Sequence, residues 1–448
     1  MCGFIYSSKK IKNVEESNRF CVKRGPDATE EMIVPGTEHH FVHNLLSITG
    51  DKITQPFSRN NIHCAFNGEI YNYLEHGASY DSDGECLIDL YEKFGFNFAK
   101  ELDGEFSIVL LDLNKNVLFL TTDTFSTKPL WIGRRKDGAI GAASYQSSLV
   151  SEGYEQVYQV PPNTSLVLDL NKGVLVEKIE VVTFDLTQHK DNYDDWIAAF
   201  ESSIAKRSRS REKIFIGLSG GYDSGAISCE LLKQSVDFKS FSIAAAEDIN
   251  IIRERMSRID NTKFTDLSQE EYAKQKVFLE KNSERFSTKP RAHRANGYVV
   301  TNDKGAIGTG IICKQAREED YKIYLSGQGS DEILSDYGHG GRMAQGFLHG
   351  DLAGHFPEDL KGTFPWTNFF LGTQREFLYK DEAVGGAYGI ECRYPFLDKF
   401  LVQEFLWLNN ELKNSHYKAP LREYLKRNEF PFKEGLAHKI GFRANNFK

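Results

Sequence analysis

The sequence predicts two folds in tandem: a sheet-rich α+β domain, followed by an α/β domain built on a doubly wound parallel sheet. Three observations predict this. The first ~180 residues carry short apolar runs separated by turn dipeptides, the mark of successive strands. Beyond residue 193 the pattern changes to strand, loop and helix in alternation, which calls for a parallel sheet. The length of 448 residues, at roughly 100–200 residues per domain, leaves room for both. A polar stretch over 187–194 marks the joint, giving domains at 1–186 and 187–448.

In the first domain the runs at 3–6, 40–46, 63–66, 106–111, 117–121 and 165–170 read as strands. The turn pairs Asn67-Gly68, Asp103-Gly104 and Asp137-Gly138, together with Pro161-Pro162-Asn163, punctuate the sequence around them. One amphipathic helix is expected at 84–94, where Cys86, Leu87, Leu90, Tyr91 and Phe94 recur at helical spacing. In the second domain a helix at 193–208 precedes a buried strand at 214–218, a glycine-rich loop and a helix at 226–232. Strands follow at 238–243 and 322–325, and the last ~100 residues read as helix and loop.

Composition narrows the function classes. Apolar residues make up 40% and charged residues 26%, an ordinary globular balance. The net charge of −8 argues against a protein that coats nucleic acid. No apolar run approaches the ~18 residues of a membrane span. The seven Cys contain no C-x-x-C pair and are odd in number, which reads as reduced thiols in a cytoplasmic setting. No H-E-x-x-H pattern points to zinc.

Cys2 is distinctive by position. Once Met1 is removed, its thiol and a free α-amine share one residue. An amine with an ordinary pKa of ~7.7–8 can accept the thiol proton near neutral pH. Asn67 and Gly68 place a side-chain amide beside a backbone N–H, a donor pair that suits a tetrahedral oxyanion, although Asn-Gly is equally a common hairpin turn. Asp83, after Ser82, stands at a helix start and has an N-capping reading as well. Arg24-Gly25-Pro26-Asp27 forms a charged, rigid turn.

A second cluster lies in Ser219-Gly220-Gly221-Tyr222-Asp223-Ser224, directly after a strand. Glycines admit a phosphate close to the backbone, and hydroxyls and N–H groups at a helix start complement its charge. No Lys follows in the P-loop position. Leu325-Ser326-Gly327-Gln328-Gly329-Ser330-Asp331 follows another strand. Asp223 and Asp331 are candidate Mg²⁺ ligands, since Mg²⁺ at phosphates takes one or two carboxylates; helix capping is their alternative role. Lys418-Ala419-Pro420-Leu421-Arg422 and Lys439-Ile440-Gly441-Phe442 come near the end.

These motifs, in this order, resemble the asparagine synthetase family: a class II glutamine amidotransferase domain of the N-terminal-nucleophile sandwich type, then an ATP-pyrophosphatase-type synthetase domain. Gln55-Pro56 and Asp123–Leu130 also match that family's segments, with Ser126 where it has Gly. The resemblance implies roles. Cys2 attacks the amide of glutamine, Asn67 and Gly68 hold the oxyanion, and Asp83 and Arg24 belong to the glutamine site. Leu218, Ile243, Ser326 and Gly327 bind ATP, and Ser219, Gly220, Gly221, Asp223 and Ser224 form the pyrophosphate loop. Asp223 and Asp331 hold Mg²⁺, Lys439 stabilises charge at the α-phosphate, and Gln328 faces the acceptor. It also suggests a homodimer acting on small molecules, with no nucleic-acid or membrane partner.

Three further positions depart from the family. Leu45 stands where a basic residue clamps the glutamine α-carboxylate, Gln328 replaces a Glu, and Ala383 replaces a basic residue. The ATP-side motifs are kept while the carboxylate-side motifs drift. The expected function is glutamine-dependent amidation of an adenylated carboxylate, with an acceptor other than aspartate. The alternatives are asparagine synthesis itself, an amide ligase using ammonia or a substrate amine, and a non-enzymatic nucleotide sensor.

Overall fold

A computed structural model describes residues 2–77, 79–243, 248–285, 300–347, 350–438, 442 and 444. The chain forms two compact units. The first comprises residues 1–183, with 282–285 and 385–391; the second comprises 184–281, 286–384 and 392–448.

The first unit holds two six-stranded sheets. One runs in the order Gln156–Gln159, Trp131–Arg134, Ile140–Ala143, Gly3–Ser7, His40–Leu45, Ala28–Ile33; the other runs Val174–Glu180, Thr164–Asp169, Val117–Thr122, Gly104–Asp112, Ile62–Ile70, Phe57–Arg59. The paired strands are antiparallel. Between the sheets, Phe4, Tyr6 and Phe41 from one pack against Ala65, Val109, Leu111 and Leu120 from the other. On the opposite face of the second sheet, Cys64, Phe66, Ile108 and Leu110 pack on Leu87, Leu90 and Tyr91 of the helix Cys86–Phe94. All nine residues of Ile62–Ile70 are buried. A strand covered on both faces shows no apolar–polar alternation, so Asn67 and Gly68 sit inside the sandwich.

Ser126, in the segment where the family has Gly, adopts φ +52°. That left-handed conformation costs a non-glycine residue about 1–2 kcal/mol, and the buried Ser126 hydroxyl makes no hydrogen bond among the described residues. Ser126→Gly is therefore expected to raise stability by about 1 kcal/mol, net of the added freedom of the unfolded chain. Chemical denaturation checks this, and an unchanged or lower midpoint would contradict it.

The second unit is built on a five-stranded sheet in the order Thr262–Thr265, Phe238–Ile243, Lys213–Gly217, Tyr321–Leu325, Glu391–Arg393. The first four strands are parallel. From Lys213–Gly217 the chain moves outward to one side and later returns on the other. The carboxyl ends of Lys213–Gly217 and Tyr321–Leu325 thus flank a topological switch point, where open α/β sheets bind ligands. Helices Tyr222–Lys233 and Lys304–Glu318 pack on the sheet. Among the described residues no helix is long and apolar enough to cross a membrane.

Candidate functional site

In the first unit Cys2 precedes the strand Gly3–Ser7 and is 6% exposed. Its Sγ lies 3.9 Å from the Leu46 carbonyl oxygen. Burial pushes the thiol up to about 11, with the nearby carboxylates of Glu391 and Asp83 adding to the shift. The thiol is therefore protonated at neutral pH and needs a base to react. Arg24 is fully buried; its Nε donates to the Cys2 carbonyl at 2.9 Å and its Nη1 to the Tyr145 hydroxyl at 2.8 Å. The guanidinium thereby fixes the backbone of Cys2.

The strand Gly3–Ser7 packs against Ile62–Ile70, which carries Asn67 and Gly68. Asn67 is fully buried, and neither polar atom of its side chain has a hydrogen-bond partner among the described residues. An unpaired buried amide costs about 1–3 kcal/mol, which a ligand that accepts its N–H would recover. Gly68 has φ +141°, and a Cβ there would lie 1.8 Å from the Glu105 carbonyl oxygen, so only glycine fits. Asp83 is tied to the same strand: its Oδ2 accepts from the Ile70 N–H at 2.8 Å.

The loop after Leu45 runs close to Cys2 and to the strand Ile62–Ile70. Leu46 meets the Cys2 thiol, and the Thr49 hydroxyl donates to Glu69 at 2.6 Å. The Asp51 N–H donates to the Asp81 carbonyl at 2.7 Å. Lys52 Nζ donates to the Asp27 carbonyl at 2.5 Å, and the Asp27 N–H donates to the Leu45 carbonyl at 2.9 Å. A cation thus stands one residue pair away from Leu45. Lys52 is exposed and lies seven positions beyond the place where the family's basic residue is expected.

In the second unit the switch point opens into a cavity of about 740 Å³. Its walls include every residue from Leu218 to Ser224, together with Ile243, Ser326, Gly327, Gln328 and Asp331. The structure therefore brings together all the described residues assigned to ATP and acceptor. Lys439 lies outside the described residues; its neighbours His438 and Phe442 line the cavity.

The loop Ser219–Ser224 is internally braced. The Ser219 and Ser224 hydroxyls are 2.8 Å apart, and the Gly221 N–H donates to Ser219 Oγ at 3.1 Å. Arg255 is buried beneath the loop and donates through Nη1 to the carbonyls of Ser219 and Gly221 at 2.5 and 2.8 Å. Holding the carbonyls back in this way keeps their partial negative charge off an incoming phosphate. Gly327 passes so near the loop that a Cβ would lie 2.9 Å from Asp223 Cβ.

Asp223 and Asp331 converge on one cation. Lys418 Nζ lies 2.6 Å from Asp223 Oδ1 and 2.8 Å from Asp331 Oδ1, with Lys418 1% exposed. Ser330 and Tyr417 hydroxyls donate to the same two oxygens at 2.7 and 2.9 Å. The Lys418 ammonium thus sits between the two carboxylates at the cavity wall. Lys418 and Arg255 had no role assigned from sequence. The Lys-Ala-Pro-Leu-Arg run drew attention, but nothing in its spacing reveals a partner 195 positions away.

Residues 1–167 match the family described as glutamine amidotransferase domain, and residues 195–359 match asparagine synthase. Curated relatives include a putative glutamine-hydrolysing asparagine synthetase of Methanocaldococcus jannaschii, 28% identical over 427 residues, covering 87% of this chain and 72% of that protein. The glutamine-hydrolysing asparagine synthetase of Gallus gallus is 26% identical, covering 84% of this chain and 70% of the relative. That of Homo sapiens is 26% identical, covering 80% and 67%. Two family matches in the order of the two sites, and relatives aligned across both, make this chain a member of the asparagine synthetase family.

Proposed function

We propose that the protein hydrolyses glutamine at Cys2 and uses the ammonia to amidate a carboxylate that it adenylates with ATP. What supports this reading is that one chain holds a buried Cys2, an Asn67 side chain buried without a hydrogen-bond partner among the described residues, and a switch-point cavity lined by Asp223 and Asp331.

At the first site the α-amine of Cys2, freed by loss of Met1, takes the thiol proton. The thiolate attacks the glutamine carboxamide, and Asn67 Nδ2–H and the Gly68 N–H receive the oxyanion. A donor of this kind contributes about 10²–10³ in rate. Asp83 holds the glutamine α-ammonium. Arg24 acts as a positioning residue for Cys2. The Cys2 α-ammonium returns its proton to the carboxamide nitrogen, the C–N bond breaks and ammonia leaves, and water then releases glutamate from the thioester.

Lys52 is the group we assign to the glutamine α-carboxylate, in place of the Arg that Leu45 replaces. Lys52→Ala should raise the KM for glutamine about tenfold while changing kcat less than threefold, because the charge contacts ground and transition states alike. Glutamate release measured against glutamine concentration checks this. An unchanged KM would contradict it.

At the second site Leu218 and Ile243 face the base, and the braced loop from Ser219 to Ser224 receives the β- and γ-phosphates. Mg²⁺, held by Asp223 and Asp331, would supply charge neutralisation at the phosphates when bound. The acceptor carboxylate attacks the α-phosphate, pyrophosphate leaves, and Lys439 offsets the charge that develops. Ammonia then displaces AMP.

Incubation with ATP, Mg²⁺, glutamine and aspartate, with pyrophosphate, glutamate and asparagine measured separately, tests the reading. Pyrophosphate and glutamate without asparagine indicate another acceptor, the reading favoured by Gln328 and Ala383. Robust asparagine formation assigns aspartate. Absence of pyrophosphate with a full panel of carboxylates would overturn the proposal.

A further inference from the structure

One charged group on the cavity wall has no part in ATP binding. Asp381 lies in the helix Gly372–Gly386, lines the cavity and is 1% exposed. The Ser326 hydroxyl donates to its Oδ2 at 2.7 Å, and the side chain of Gln328 hydrogen-bonds the same carboxylate. The Gln328 N–H donates to Ser326 Oγ at 3.3 Å, so these three residues form one connected unit. The groups facing Asp381 are Lys380 and Glu382 on its own helix, Tyr324 on the strand Tyr321–Leu325, Cys313 on the helix Lys304–Glu318 and Cys392 on Glu391–Arg393. Lys380, 9% exposed, sits over the Phe377 ring at 4.5 Å.

This arrangement answers a chemical need. Ammonia adding to an acyl adenylate gives a tetrahedral centre bearing –NH₃⁺. Unless that nitrogen loses a proton, it is expelled again in preference to AMP. The family carries a Glu at position 328, and a Gln cannot take the proton. Here the carboxylate lies one hydrogen bond further out, on Asp381, and the Gln328 amide orients it.

Resting on the proposed adenylating function, we infer that Asp381 is the proton acceptor of the amide-forming step, oriented by Ser326 and Gln328. The N–C bond forms, and a proton passes from the new ammonium to an Asp381 oxygen. The C–O bond to the phosphate breaks, and AMP departs with the electron pair. Asp381 later returns the proton to solvent. Burial raises the proton affinity of the carboxyl, while Lys380, Ser326 and Gln328 hold it down towards ionisation, the balance a base needs.

The test uses the full chain with ATP, Mg²⁺, ammonium chloride and a panel of amino-acid and dicarboxylate acceptors, L-aspartate first. ATP–pyrophosphate exchange reports adenylation, and amide product reports the second step. Asp381→Asn is expected to lower amide formation about a hundredfold or more, with exchange falling less than threefold. The double variant Asp381→Asn with Gln328→Glu, which returns a carboxylate to the unit, should recover at least tenfold. Amide formation by Asp381→Asn within threefold of the parent would overturn the inference. So would parallel loss of exchange and amide with no recovery in the double variant. Absence of exchange in the parent across the whole panel instead defeats the adenylation reading, and this inference with it.

Discussion

Cys2→Ala is expected to reduce glutamine hydrolysis by about a thousandfold or more, while amide formation from added ammonium chloride survives. In the proposed reading Cys2 alone joins a thiol to an α-amine that can act as its base. The other six Cys are buried too, and in the proposed reading none of them carries the α-amine that would take the thiol proton. The Cys2 side chain is small and its one side-chain hydrogen bond among the described residues, to Leu46, is long, so its loss should leave the sandwich intact. Because the thiol is protonated at neutral pH, its alkylation should quicken as pH rises. Glutamate release by Cys2→Ala within tenfold of the parent would contradict the assignment.

Asp331→Asn is expected to lower pyrophosphate release by about 10²–10⁴-fold with glutaminase activity retained, an effect of the size seen when charge stabilisation at a reacting phosphate is lost. The amide keeps an oxygen to accept from Tyr417 but removes half of the charge facing the cation position. Lys418 retains Asp223, so no buried ammonium is left unpaired, and stability should fall by only about 1–3 kcal/mol. Asp223→Asn should behave alike. Measuring pyrophosphate against Mg²⁺ concentration separates a weakened cation site, which excess Mg²⁺ partly rescues, from a collapsed loop, which it does not.

The fold was legible where burial is strong. Runs such as Phe106–Leu111 and Val117–Thr121 announced inner strands because both faces are covered. The strand Ala28–Ile33 escaped because Thr29, Glu30 and Glu31 are exposed, and Val174–Glu180 because it is an edge strand whose valines and leucine face solvent. Thr262–Thr265 is four half-buried residues long, too short to show a period.

At the sites, chemistry that is contiguous in sequence was readable: Cys2 at the start, Asn67 beside Gly68, and the serine and glycine loop after a strand. What was missed acts across the fold. Arg255 braces a loop 34 and 36 positions earlier, Lys418 bridges carboxylates 195 and 87 positions back, and Asp381 meets Ser326 from a helix 55 positions on. Such pairings follow from the parallel sheet, which gathers loops distant in sequence at one edge, and no local pattern encodes them.

The central claim is that one chain takes nitrogen from glutamine and places it on an adenylated carboxylate. The most direct test is glutamine labelled with ¹⁵N at its amide, supplied with ATP, Mg²⁺ and the acceptor that supports pyrophosphate release, with products followed by NMR. The account predicts a ¹⁵N-labelled carboxamide in the product, one AMP per label transferred, and loss of label transfer in Cys2→Ala. Label that stays in glutamine while ATP is consumed, or an amide that forms unlabelled, would contradict it.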